Sequence, residues 1–576
     1  MNNVSASGSA ASGDPTITGR QWIVIVVLSL SLAIIIIDAS IVNVTIPAIS
    51  NEFKASIPDL QWISSSYALV YAALLITFGR LSDTLGRRLI FIIGISAFGA
   101  GSILVGSASG VDIILIGRVI QGLGAAMASP STLSILSVSF TGKSRGIAFG
   151  IWGATAGAAG ALGPLLGGFF TTNFSWRWAF LINIPIVIIA IIGGLVIIAE
   201  SKDEGAQHTL DIGGIILASF GFAAIVLGFI EAPTYGWISP TTTAAVSLSL
   251  VAFVVGVVLL TSFVAYEQFL ARRGREPLFN FSLLRFAGFR FGLLTVFVVA
   301  LGEFGILFVL SLYLQEARGL TALNTGLLLL PFAGGSFLTA PVAGILSTRF
   351  GPKWVISVGM LLEATAIFLI SRIVQVDTPL GVFVPIFLLY GIGLGLAIAQ
   401  LTNVVLSNIP PQFSGTGSGA NNTLRQVGVA IGVAILGAIL TSQVATISTA
   451  QLKPNTVIPP LLKPTIQQLV NAGQPKEVIV TVVRNVAQGI NSQQPGNIPG
   501  GAPGQPTLDI AAITHATGAI LDDAETQGTR DAGLFAAIFV FLGALSSLLI
   551  PNPPRSGDSE DNDEDDKTPM AVAATE

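Results

Sequence analysis

Asp38 follows four consecutive isoleucines, Ile34 to Ile37, and lies well inside an apolar run that carries Asn43 five residues further on. An ionised carboxylate is unfavourable in such a setting, because desolvation favours the protonated form while a nearby cation favours the charged one. A group balanced in this way can exchange a proton as its surroundings alternate. It can equally serve in a fixed ion pair or a helix-packing hydrogen bond. Another apolar run holds Arg118, with Gln121 and Gly122 at i+3 and i+4 on the same helical face. An arginine inside a membrane span costs on the order of 2.5–3.5 kcal/mol on insertion scales. It therefore faces a partner or a water-filled cavity, or else snorkels to an interface about two turns away. Other chemistries are set aside by residue type. There is no cysteine, and His208 and His515 stand far apart in polar segments, so no metal and no cofactor are expected. Gly142-Lys143-Ser144 has the end of a phosphate-binding loop, but Ser137 replaces its first glycine and no strand precedes it. No nucleophile–base pair lies in the apolar runs, so an enzyme is not expected.

The elements that position these groups must be membrane helices. Of 576 residues, 52% are hydrophobic and only 10% charged, with a mean hydropathy of +0.79. Soluble domains carry roughly 25% charged residues. A bilayer core of about 30 Å needs roughly 20 apolar helical residues. That length predicts about fourteen spans, at 21–47, 60–79, 89–108, 112–137, 146–171, 178–199, 212–231, 243–266, 288–314, 323–347, 354–373, 381–407, 418–443 and 531–550. The fold class expected is an all-α membrane protein. With the N-terminus in the cytoplasm, sixteen basic residues fall in the inner loops and tails, against four outside (Lys54, Arg177, Arg318 and Arg372). This asymmetry predicts a multi-pass protein of the plasma or inner membrane with both termini cytoplasmic. Residues 1–20 read as a disordered cytoplasmic arm, without the basic and apolar regions of a signal peptide. Residues 444–530 read as a long extracytoplasmic loop with helix-compatible runs such as Glu477–Ile490 beside a Pro/Gly/Gln-rich stretch, and 551–576 as an acidic disordered tail in the cytoplasm.

Five short motifs carry more. After span 2 stands Gly79-Arg80-Leu81-Ser82-Asp83-Thr84-Leu85-Gly86-Arg87-Arg88. Its glycines permit a tight turn, and Asp83 is placed to face the N-terminal dipole of span 3. The run resembles the signature loop of the major facilitator superfamily, with Ser82 and Thr84 as departures. The resemblance implies that Gly79, Arg80, Asp83, Gly86, Arg87 and Arg88 form a gating loop that packs two helical bundles. Span 4, from Arg118 through Gln121-Gly122 to Ala126, is similar to the family's span-4 pattern. In span 5, Gly163-Pro164-Leu165-Leu166-Gly167-Gly168 would pack closely and kink. It resembles the superfamily's antiporter motif, with Gly150 in its first position and Ala159 in place of a glycine. Asp38-Ala39-Ser40-Ile41-Val42-Asn43 resembles the first-span pattern of the fourteen-helix drug:proton antiporter branch, and Arg425-Gln426 in span 13 resembles a run of the same branch.

That resemblance implies the major-facilitator fold: two six-helix bundles, 21–200 and 271–550, with two linker helices inserted at 201–270. It also implies that spans 1, 4, 9 and 12 line a central cavity. Asp38 and Glu303 would then be proton or substrate-cation sites, and Arg118 the electrostatic partner of the amino-terminal bundle. Asn43, Gln121, Gln400 and Asn403 would be polar cavity contacts, and Glu363 in span 11 would be peripheral. The function expected is proton-coupled export of small amphipathic drugs or toxic compounds by alternating access. The partners are then a small-molecule substrate, protons and the bilayer, with no nucleic acid. A dedicated transporter of one metabolite, siderophore or lipid would share these motifs. A receptor or scaffold could instead use the 444–530 loop, which is also where an accessory protein could engage.

Overall fold

The computed structural model describes residues 17–53, 57–203, 211–238, 246–407, 409–471, 476–493 and 509–551. The terminal arm and the acidic tail fall almost wholly outside them, as does the side chain of Asn43. Where lipid replaces water, each backbone polar group must be satisfied within its own segment, so apolar runs fold as helices. The helices are α1 (Gly19–Phe53), α2 (Ile57–Leu85), α3 (Arg87–Gly106), α4 (Val111–Ser139), α5 (Gly142–Asn173), α6 (Trp178–Leu181) and α7 (Asn183–Val196). They continue with α8 (Ile212–Tyr235), α9 (Leu248–Arg272), α10 (Ala287–Leu312), α11 (Ala322–Phe350), α12 (Pro352–Ile373), α13 (Phe383–Ser407) and α14 (Ser414–Leu452). The last are α15 (Lys463–Asn471), α16 (Lys476–Gln493) and α17 (Ile510–Ser547).

Among the described residues, thirteen spans are long and apolar enough to cross a membrane, one of them formed by α6 and α7 together. A fourteenth, α5, bends by 45° between Gly160 and Leu165, the stretch that holds the Gly163-Pro164 pair. Helices α1 to α7 pack into one bundle, and α10 to α14 with α17 pack into another. They meet along two seams, α5 against α11 and α13, and α2 and α4 against α14. Helix α8 lies over the second seam, touching both α2 and α14, and Thr77 and Ser219 share a hydrogen bond there at 3.2 Å. Helix α9 packs mainly on α8 and leaves most of its surface to the bilayer.

Three expectations about elements need correction. The gating loop is almost entirely helical: α2 continues through Asp83 to Leu85, and α3 begins at Arg87. The turn is the single residue Gly86, whose φ of +124° suits glycine. Span 13 begins at Ser414, because the polar run Ser414 to Thr423 is buried against the other bundle rather than exposed to water. The long loop 444–530 is largely a helical cap. Helix α14 runs on to Leu452 and α17 starts at Ile510, while the amphipathic α15 and α16 close a small apolar core of Leu462, Ile466, Val470, Val483, Ile513 and Ile520. Lys476 ties this cap to the segment just after α10, where its backbone N–H donates to Glu316 at 3.1 Å, and its ammonium pairs with Asp522 on α17. We call the side with Gly86 the basic face and the opposite side the cap face.

Candidate functional site

Asp38 and Arg118 form an ion pair in which both side chains are fully buried. The other Asp38 oxygen accepts hydrogen bonds from Gln121 Nε2 at 2.8 Å and Asn183 Nδ2 at 3.0 Å, and both amides also reach Ser102 Oγ. Arg118 donates to Gln121 Oε1 at 2.9 Å and to the Ile63 carbonyl at 3.0 Å, and it lies over the Tyr67 ring at 4.3 Å. The network joins α1, α2, α3, α4 and α7 and lies within the first bundle. Gln121, expected as a polar cavity contact, is hydrogen-bonded within this network. Asn183 and Ser102 were not singled out from the sequence, because small polar residues near helix ends are ordinary there. The antiporter-motif glycines bring α5 onto the same stretch of α1. A Cβ on Gly163 would overlap Ser40 Oγ, and one on Gly167 would come within 2.8 Å of Ile41. Gly168 is buried, and the Pro164 side chain is outside the described residues.

The second bundle holds a separate charged group. Glu303, Glu363 and Arg425 line one internal cavity of about 10 Å³, close to the minimum that admits a water molecule. Its other walls are apolar, including Val299, Met360, Leu394 and Ile398. Glu363 was expected at the periphery, yet it lies on the same cavity as Glu303, fully buried and with neither carboxyl oxygen hydrogen-bonded. Its register on α12 turns it inward toward α10 and α13, a direction that span number alone does not reveal. Tyr390 donates to the Glu303 backbone carbonyl at 3.0 Å. Arg425 reaches Thr402 Oγ1 at 3.5 Å and lies within electrostatic reach of Glu303 and of Tyr71 on α2. Arg118 partners Asp38 within the first bundle, and Arg425 is the cation that lines the cavity with Glu303. Gln400 is fully buried with both amide atoms unpartnered, as is the Asn403 amide oxygen. Gln426 is half-buried and makes no side-chain hydrogen bond among the described residues.

On the basic face the bundles are fastened together. Asp83 accepts from the backbone N–H groups of Gly415 and Thr416, each at 2.8 Å, and from Thr416 Oγ1 at 3.2 Å. It thus caps the N-terminus of α14 across the seam, not the start of α3 as expected. The start of α3 is held by Glu200, which accepts from the N–H groups of Arg88 and Leu89. Arg87 binds Asp83 at 2.8 Å, Ser134 at 2.7 Å and the Pro411 carbonyl at 3.1 Å. Arg80 pairs with Glu276 at 2.6 Å in the segment after α9, and Arg88 lies 3.8 Å from Glu200. Ser134 and Ser414 share a hydrogen bond at 2.9 Å, and Ser418 donates to the Pro130 carbonyl at 2.7 Å. The backbones can approach this closely because a Cβ on Gly79 would lie 2.5 Å from the Gly415 oxygen.

Comparison with known proteins agrees with this architecture. The sequence pattern described as the Major Facilitator Superfamily matches residues 28–433. The chain is 33% identical to the tetracenomycin C resistance and export protein of Streptomyces glaucescens, over 77% of this chain and 80% of that one. It is 31% identical to a puromycin resistance protein of Streptomyces alboniger, over 74% and 83% of the two chains. It is likewise 31% identical to the multidrug resistance protein Stp of Mycobacterium tuberculosis, over 73% and 76%. The crystal structure of the human organic anion transporter MFSD10 shares the fold, with a TM-score of 0.51 at 15% identity over 73% of this chain and 94% of that one. Two helical bundles fastened by a helix-capping aspartate, in a sequence that matches over most of its length, place this chain in the Major Facilitator Superfamily, as a multi-pass membrane transporter and not an enzyme.

Proposed function

We propose that the chain is a proton-coupled antiporter that exports small amphipathic compounds by alternating access. In this reading it sits in the plasma or inner membrane, with the basic face and both termini in the cytoplasm. The observation that carries the coupling is the cavity shared by Glu303, Glu363 and Arg425. Ionisable residues inside membrane spans mark ion and substrate pathways by default. Two carboxyls facing one guanidinium change the net charge of a water-poor site from zero to minus one when a proton leaves. Arg425 is on α14, the helix that forms the seam, so that charge change acts on the element that must move. The export direction and a drug-like substrate are supported by the relatives, whose names state resistance and export.

The described state is closed on the basic face. A hydrogen bond to a charged group contributes about 1.5–3 kcal/mol. One proton moving down 100 mV supplies about 2.3 kcal/mol. A single proton therefore offsets about one of the three bonds that Asp83 accepts from α14. The remainder must be exchanged for contacts formed as the cap face closes, which is how a rocking transporter holds two states near balance.

The test is efflux of puromycin and tetracenomycin C from proteoliposomes with an imposed pH gradient, comparing the wild type with Asp38→Asn and Glu303→Gln. Loss of gradient-driven efflux in Glu303→Gln is expected. Undiminished proton-driven efflux in both variants would sink the assignment of these residues. Transport of one compound alone from a wider panel would point instead to a dedicated transporter.

A further inference from the structure

A second pocket, of about 130 Å³, opens where the cap-face end of α12 meets the middle of α17 and is lined by Ser371, Arg372, Gln527, Arg530, Asp531 and Leu534. Neither Arg372 nor Arg530 makes an ion pair among the described residues, and Arg372 rests on the Phe368 ring at 4.9 Å. Asp531 lines the same pocket but is held by Gln443 Nε2 at 2.6 Å, which leaves a net charge of plus one. The depth of the pocket is set by the helices. At 1.5 Å per residue, Arg372 stands about 30 Å along α12 from Pro352, and Arg530 about 26 Å along α17 from Ser547. Both guanidinium groups therefore lie at the edge of a hydrocarbon core about 30 Å thick, where lipid phosphates sit. Below them the helices turn apolar side chains to the bilayer. Phe368 and Leu361 are exposed on α12, and Phe535 and Ile538 on α17. Ile538 follows Leu534 by one helical turn, so the apolar strip begins at the pocket itself.

We propose that Arg372 and Arg530 bind the phosphate of an anionic phospholipid in the leaflet on the cap face, with its acyl chains lying on this strip. The volume admits a phosphate group, and two unpaired guanidinium groups supply the charge-assisted donors that phosphate takes in bidentate fashion. The net positive charge selects a headgroup that carries a whole negative charge over a zwitterionic one. Free phosphate offers the same oxygens without the chains, so the two sources separate by experiment.

The experiment follows thermal unfolding of the purified full chain in detergent with added phosphatidylglycerol, phosphatidylcholine or phosphatidylethanolamine, and separately with inorganic phosphate. Phosphatidylglycerol is expected to raise the midpoint above that in either zwitterionic lipid, while inorganic phosphate leaves it unmoved. The variant Arg372→Gln with Arg530→Gln should bind phosphatidylglycerol about 30-fold more weakly. Its midpoint in phosphatidylcholine should match the wild type, and Arg372→Lys with Arg530→Lys should keep most of the preference. A doubly neutral variant with the full preference for phosphatidylglycerol overturns the site. Equal stabilisation by inorganic phosphate overturns the lipid assignment, and equal stabilisation by phosphatidylethanolamine overturns the anionic one.

Discussion

At the scale of single residues, the intramembrane acids Asp38 and Glu363 have opposite surroundings. Asp38 is fully satisfied by Arg118, Gln121 and Asn183, whereas Glu363 has no hydrogen-bond partner for either oxygen. Removing one member of a buried ion pair strands the other and costs about 3–5 kcal/mol. Asp38→Asn should therefore lower stability by about that amount. Removing an unsatisfied buried polar group relieves a penalty of about 1–3 kcal/mol, so Glu363→Met should be neutral or stabilising. Unfolding of the two variants in mild detergent checks the contrast, and equal destabilisation by both would contradict it. Asp38 was legible because four isoleucines precede it. Its partner Asn183 was not, since it stands where an apolar helix begins and resembles an ordinary end residue. The position of Glu363 was hidden because helix rotation depends on packing partners distant in sequence.

At the scale of elements, α14 shows where hydropathy misleads. Its first turns, from Ser414 through Asn422, are small and polar, and a transfer scale places them in water. They are buried because small side chains let α2 approach, and because Asp83 satisfies the N–H groups left free at the helix start. The absence of cysteine makes the seam easy to probe, because any introduced thiol is unique. In Asp83→Asn the charge that caps α14 is gone, and in Gly79→Val a branched side chain enters a 2.5 Å gap. A cysteine placed at Ser414 should react with a water-soluble maleimide at least several-fold faster in either background than in the parent. An unchanged rate would mean that neither contact holds the face shut. The glycines and the aspartate were readable from sequence. The helix they act upon was not, because it lies more than 300 residues away.

At the scale of the whole molecule, the span count was legible because a bilayer admits so few solutions, and the two-bundle plan was legible through the motifs that resemble the family's. In the cap, the helical run at Glu477–Ile490 was legible but its packing was not, because α15 and α16 are short and their partners in α14 and α17 are continuations of membrane helices. Replacing residues 457–507 by a short glycine–serine linker should expose Ile513, Ile520 and their neighbours and lower the unfolding temperature. If the cap lies off the transport path, gradient-driven efflux per folded molecule should stay within about two-fold of the full chain, on the scale where 1.4 kcal/mol is ten-fold. Loss of efflux in a well-folded deletion would assign the cap a part in transport.

The continuity of α14 and α17 with the cap also has a mechanical consequence. A helix of 39 residues is about 58 Å long, so about half of α14 stands clear of a 30 Å hydrocarbon core. The cap is then a stiff pointer fixed to one bundle, with Lys476 bracing it against Glu316 just after α10. Any tilt of that bundle sweeps the pointer through an arc of about 5 Å for each 10°. Motions too small to resolve within the packed spans become displacements that a pair of spectroscopic labels can measure in the aqueous phase.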